Sequence, residues 1–177
     1  MLLLSVPKFS GAQNINNPNK QGPLGTQVNT LSGNLFVPRT DIYIPARLFD
    51  LNISFYYNSF LFQEDHGYGK GWSFEYNLRY RKDTVPGARY IFWGDGREDR
   101  YDSLSPTSYK GPTGFFDTLS QYQPGKYRLV RLNGVKYFFD DASHKRVTRV
   151  EEPNGNFITF TYTDSLLSAI TNKASQA

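Results

Sequence analysis

Three stretches of this chain alternate strictly between apolar and more polar side chains, and a period of two is the signature of a strand with one face turned to a core. Leu51, Ile53, Phe55 and Tyr57 alternate with Asn52, Ser54, Tyr56 and Asn58; Phe74, Tyr76, Leu78 and Tyr80 with Glu75, Asn77, Arg79 and Arg81; Ile158, Phe160 and Tyr162 with Thr159, Thr161 and Thr163. No window of ten or more residues carries a 3.6-residue apolar period, so the expected fold class is all-β, an antiparallel meander of hairpins. Composition points the same way: 13 Tyr and 14 Phe suit a pleated surface, while 15 Gly and 10 Pro supply turns.

Shorter strand candidates fill the gaps: Leu35 to Val37, Ile42 to Ile44, Tyr90 to Trp93, Tyr127 to Leu132, Val135 to Phe139 and Arg146 to Val150. The Ser-, Pro- and Gly-rich run from Ser103 to Gly125 reads as a long loop, or as one holding an edge strand around Phe115 and Phe116. A weak repeat emerges when turns are aligned. Asp95-Gly96, Asn133-Gly134 and Asn154-Gly155 suit type I′ hairpin turns, and an aromatic residue follows six positions after each first member, at Tyr101, Phe139 and Phe160. The strand bearing Ile158, Phe160 and Tyr162 reads as the last, with an unpaired edge and an uncovered face.

At the N-terminus, Leu2, Leu3, Leu4 and Val6 precede the small residues Ser10-Gly11-Ala12. Residues 1–12 thus read as the tail of a signal peptide cut before Gln13, whose basic start would lie upstream of Met1 and from which export follows, the alternative being an ordinary frayed terminus. Residues 13–27, dominated by Asn, Gln, Gly and Pro, read as a flexible linker, and 28–177 as the β domain. No stretch approaches the roughly 20 apolar residues of a membrane-spanning helix.

The order of several motifs resembles the Rhs/YD-repeat family: Val28-Asn29-Thr30-Leu31-Ser32-Gly33-Asn34-Leu35, then Thr40-Asp41-Ile42-Tyr43-Ile44-Pro45, Tyr56-Tyr57-Asn58-Ser59, Gly67-Tyr68-Gly69-Lys70-Gly71-Trp72-Ser73 and Asp95-Gly96-Arg97. Tyr137-Phe138-Phe139-Asp140 and Asn154-Gly155-Asn156-Phe157-Ile158-Thr159-Phe160-Thr161-Tyr162 continue the resemblance. Its motif residues are Asn29, Gly33, Asp41, Tyr57, Gly69, Gly71, Trp72, Asp95, Gly96, Asn154, Gly155, Asn156 and Tyr162. The last unit departs from the pattern, because Thr163 separates Tyr162 from Asp164. The resemblance implies a β-sheet spiralling into a hollow shell, of which this chain is similar to the first turn. Such shells enclose a C-terminal toxin or serve in adhesion at the cell surface. Further YD repeats of the same or a longer chain are the partners it implies.

Few residues carry chemistry. Gly67, Gly69 and Gly71 lack the Lys-Ser/Thr of a phosphate loop and read as a tight turn delivering Trp72 to the core. Asp95, Glu98, Asp99 and Asp102 are interrupted by Arg97 and Arg100 and read as a solvated turn rather than a Ca²⁺ loop. His66 and His144 lie far apart without a third ligand, and Asp140-Asp141 and Glu151-Glu152 would point to opposite faces of a strand, which does not suit a glycosidase pair. A net charge of +4 without clustering argues against nucleic acid as a partner. The expectation is a non-catalytic shell segment, secreted or at the cell surface, with no cofactor, metal or catalytic residue. The alternative is a carbohydrate-binding or adhesion module stacking sugars on Tyr43, Tyr56 or Tyr68.

Overall fold

The computed structural model describes residues 20–22, 25–45, 50–84, 87–164 and 166–173. The expected signal-peptide tail, and residues 13–19, 23 and 24 of the expected linker, lie outside the described residues.

The chain is all-β. A first sheet holds β1 (Lys20–Gln21), β2 (Gln27–Asn29), β3 (Asn34–Ile44), β4 (Leu51–Asn58) and β5 (Trp72–Phe74) in that order. A second holds β6 (Arg79–Lys82), β7 (Arg89–Phe92), β8 (Glu98–Ser105), β9 (Ser108–Lys110), β10 (Thr118–Gln123), β11 (Lys126–Val130), β12 (Lys136–Phe139), β13 (Arg149–Glu151), β14 (Phe157–Thr163) and β15 (Leu166–Lys173). Within each sheet every strand pairs antiparallel with its sequence neighbour, so the expected meander is present in both. Register explains the core. Direct cross-strand partners share a face, and Tyr109, Leu119, Leu129, Tyr137, Val150 and Ile158 form one such row across β9 to β14. All six belong to the hydrophobic core or pack against it, with Leu51, Ile53 and Phe55 of the first sheet closing it from the other side.

The second sheet curls back on itself. The Tyr80 amide donates to the Lys145 carbonyl and the Val147 amide to the Leu78 carbonyl, both at 2.9 Å, joining β6 to the segment that leads into β13. Six strands, β7 to β12, separate those elements along the chain, so the sheet between them must roll, and Tyr80, Tyr109, Tyr127 and Phe139 meet ring to ring within it.

Several expectations change. The alternating run from Phe74 to Tyr80 is not one strand: β5 ends at Phe74, and residues 75–78 cross from one sheet to the other before β6 begins. Phe74, Tyr76, Leu78 and Tyr80 are nonetheless all buried, because the link stays extended between two layers. Leu35–Val37 and Ile42–Ile44 belong to one long strand, β3, with a bulge between Thr40 and Ile42. The supposed loop 103–125 contains the last three residues of β8, with β9 and β10, while Phe115 and Phe116 lie outside any strand. Lys20–Gln21, inside the expected linker, pairs with β2. Ile158 and Phe160 are buried in the core, Phe160 against the Tyr76 ring at 5.0 Å, and β15, unforeseen in the sequence, adds a strand beyond β14 and becomes the outer one.

The three aligned turns share one geometry, different from the expected one. In each, the residue before the loop accepts from the glycine amide, as Trp93 does from Gly96, Arg131 from Gly134 and Glu152 from Gly155, at 2.9–3.0 Å. The Asp or Asn side chain accepts from the amide two residues on, and only the glycine has positive φ: 86°, 82° and 87°. These are three-residue loops, a type I turn followed by a left-handed glycine, rather than type I′ turns needing two positive φ values. Tyr101, Phe139 and Phe160, six residues on from the Asp or Asn of each turn, all enter the core.

Gly94 opens the first of these loops directly against the crossing segment, where an added Cβ would run into the Phe74 and Glu75 carbonyls. Backbone cannot yield as a flexible side chain does. Gly94→Ala is expected to destabilise the fold by about 3 kcal/mol, the upper range for overpacking, whereas Gly125→Ala, with open space around it but φ of 75°, should cost only the roughly 1 kcal/mol of a side chain in the left-handed region; urea unfolding of the two variants decides this.

Candidate functional site

The motif residues first. Asn29 accepts from the Leu31 and Ser32 amides through Oδ1, and Gly33 completes that turn with φ of 74°. The turn leads to the buried Asn34, whose Oδ1 accepts from the Ser59 hydroxyl, which in turn accepts from the Leu35 amide. Beside it the buried Asn58 binds the Phe60 amide through Oδ1 and donates its own amide to the Gly71 carbonyl at 2.9 Å. A Cβ on Gly71 would come within 2.7 Å of the Tyr57 ring, and one on Gly96 within 3.0 Å of Asn58 Nδ2. Motifs some sixty residues apart thus converge on Asn58 and seat the Asp95-Gly96 turn against the first sheet.

The Gly-rich turn is built as expected, with positive φ at Gly67, Gly69 and Gly71 and with Asp65 Oδ1 accepting from the Gly67 and Gly69 amides. Its consequence differs. Trp72 does not enter the core; it is half-buried, 5.6 Å from the Tyr57 ring, with the Arg39 guanidinium 5.1 Å above it, and Ser73 and Phe74 are the buried residues of β5. Asp41 sits in the β3 bulge and chelates Arg39 at 2.6 and 2.8 Å. Asn154, Gly155 and Asn156 form the last of the three turns, and Tyr162 donates to the Val147 carbonyl at 2.8 Å under Arg146. None of these residues lines the polar cleft described next except Asp95.

Two clefts open on either side of Tyr76, where residues 75–78 pass between the sheets. One, of about 240 Å³, is bounded by Tyr56, Glu75, Tyr76, Trp93, Arg131 and Tyr137, with Asp95 and Arg97 also lining it. Its floor is held by two ion pairs. Asp99 is fully buried, accepts from Trp93 Nε1 at 2.6 Å and lies 3.3 Å from Arg97; Asp117 is 2.8 Å from Arg131. Both guanidinium groups lie within 5 Å of the Trp93 ring, so the indole is in contact with two cations that each have a carboxylate partner. Burial raises the Asp99 carboxyl above its usual range, opposed by Arg97 and the Trp93 hydrogen bond. The expected solvated turn is therefore overturned at Asp99, which faces inward with Tyr101 two residues on. Burial likewise raises Glu75, opposed by Ser54, and its Oε2 is buried with no hydrogen-bond partner among the described residues.

The second cleft, of about 230 Å³, is lined by Asp65, His66, Tyr68, Arg79, Arg146 and Leu166 among others. His66 bridges Arg79, 3.4 Å from Nδ1, and Glu64, 3.2 Å from Nε2, an arrangement served by a neutral ring carrying its proton on Nε2. Burial and then Arg79 lower its pKa.

The proposed sugar-stacking tyrosines are not brought together. Tyr56 lines the first cleft and stacks on Phe36, Tyr68 lines the second and packs on Phe55, and Tyr43 is exposed on the far half of β3, donating to Asp50.

Residues 25–101 match the model of a family described as a domain of unknown function, DUF6531. That span runs from the turn before β2 to Tyr101 in β8 and includes Glu75, Trp93 and Arg97 but not Arg131 or Tyr137. None of the curated proteins matches the chain.

Removing the Asp99 carboxylate leaves the Trp93 N–H and Arg97 without their acceptor in a dry site, so Asp99→Ala should cost about 3 kcal/mol in urea unfolding, with Trp93 fluorescence altered. His66 titrates near 6.5 when unfolded and lower when folded, so its contribution to stability is full above 6.5 and is lost as pH falls through the folded value. An NMR titration should place its midpoint below 6.5; a midpoint at or above that value would show the ring to be free of this bridge.

Proposed function

We propose that this chain is a non-catalytic building segment of a Rhs/YD-repeat-like β shell, acting outside the cell or at its surface. The observation that carries the reading is serial construction. Each strand of the ten-stranded sheet is added by a hairpin to the one before it, three of the hairpins use the same turn, and the aromatic six residues on enters a common core. Such a plan grows by adding units, because each new strand needs only the edge before it.

The motif residues support the same reading, since they build turns and the Asn58 junction. β15 supplies the growing edge: among the described residues it pairs only with β14, and Leu166 on it is exposed. In a longer shell this edge would take the next strand, and a toxin enclosed by the shell or adhesion at the surface would be functions of the whole assembly.

Unpaired strand edges recruit other chains, so the isolated chain is expected to self-associate with rising concentration in sedimentation velocity. Ala169→Lys on β15 should weaken that association, while Leu132→Lys, on an exposed hairpin loop, should not. A chain that stays monomeric throughout would count against the shell segment and in favour of a self-contained binding module.

A further inference from the structure

The cleft beside Trp93 combines three features that are costly to hold together without an occupant. The first is a carboxylate in a poorly solvated place: Glu75 lies on the segment crossing between the sheets, with Oε2 buried and no partner for it among the described residues. The second is the local balance of charge. Arg97 and Arg131 are engaged by Asp99 and Asp117, so the two cations of the cleft do not serve Glu75. The third is the wall, where Tyr56, Tyr76 and Tyr137 present aromatic surface around the same carboxylate. The Glu75 charge contributes to the raised pKa of each of these tyrosines, after burial, and Tyr56 is pushed up to about 12.

A carboxylate ringed by aromatic groups is the chemistry that recognises an organic cation, through an ion pair at the charge and cation–π contact with the rings. Size narrows the choice. At about 240 Å³ the cleft falls below the roughly 300–1,000 Å³ of sites for drug-sized ligands, which suits one long side chain better than a row of sugar rings. A planar guanidinium also stacks on aromatic faces, which an ammonium does less well.

We propose that this cleft receives one arginine side chain from another polypeptide segment, its guanidinium against Glu75 and its methylene stem along Tyr56, Tyr76 and Tyr137. The proposal stands apart from the shell reading: that reading is tested at the β15 edge, and this one in a cleft that β15 does not line.

The test uses the full chain and two blocked amino acids, N-acetyl-arginine methylamide and its neutral isostere N-acetyl-citrulline methylamide, followed by amide NMR shifts and Trp93 fluorescence. Saturable shifts at residues 56, 75, 76 and 137 are expected with arginine, with citrulline weaker by about tenfold, the equivalent of one charge-assisted hydrogen bond. Glu75→Gln should reduce arginine binding by the same factor. Tyr56→Leu, which keeps apolar bulk but removes the ring, should weaken it while leaving Glu75 in place, and serves if the first variant fails to fold. Equal binding of arginine and citrulline, unchanged binding in the variant that folds, or no saturable shift with arginine would each overturn the proposal.

Discussion

An antiparallel sheet whose aromatic residues fall on one face must cover that face, and here the sheet covers much of it by curling. The driving force is removal of Tyr80, Tyr101, Tyr127, Leu129 and Phe139 from water, which is non-directional. Direction comes from the two backbone hydrogen bonds between Leu78–Tyr80 and Lys145–Val147, which fix where β6 meets the far part of the sheet. They also protect the outer side of β6, which would otherwise be an open edge. Lys145 meets this requirement with φ of 59°, a left-handed conformation that a side chain enters at a cost of order 1 kcal/mol; the turn held by Asp141, accepting from the Ser143 and His144 amides, holds it there.

Once the sheet is rolled, the link from β5 to β6 has only one place to lie. Residues 75–78 run between the layers, and Gly94 lets the next hairpin approach the link backbone to backbone. The clefts are consequences of this passage. A peptide segment crossing between sheets carries alternate side chains to opposite sides, so Tyr76 and Leu78 fill the core while Glu75 is left near the seam. The polar cleft therefore stands where the chain changes sheets, and its ion pairs tie the β7–β8 hairpin and the approach to β10 to the same indole.

Periodicity made the faces legible and left the partners obscure. Phe74 to Tyr80 was readable as a buried alternating run, and its side chains are buried; the switch of hydrogen-bonding partner within it was not, since a period of two records which way a side chain points and nothing about the neighbouring strand. The turns show the same limit. Glycine marked the positive φ correctly, but the turn type depends on the residue two before it: Pro153, with φ locked near −65°, suits the first central position of a type I turn and was the available signal. Asp99 was misread because Arg97 and Arg100 suggest a wetted loop; its place two residues before the core Tyr101, on the same face, was the clue. β15 was missed because Leu166 to Lys173 mixes small and polar residues, as an outer strand with exposed positions allows.

The ion pairs beneath Trp93 raise a question that stability alone does not answer. A buried pair returns little net free energy over an apolar pair of the same shape, because desolvation offsets the attraction. What Arg97–Asp99 and Arg131–Asp117 supply instead is orientation: each guanidinium lies over the indole, and the indole N–H is fixed on Asp99. An apolar floor would pack as well but would let Trp93 rotate, and Tyr137, which meets Trp93 edge-on at 5.7 Å, would lose its place in the cleft wall. Replacing both ion pairs together by apolar groups of matched volume would therefore be expected to destabilise the fold only through the indole N–H left without its Asp99 acceptor, while loosening the wall around Glu75, whereas removing one partner alone strands a charge as well and destabilises the fold further. The contrast between the paired and the single replacement separates a network retained for stability from one retained for the shape of the cleft.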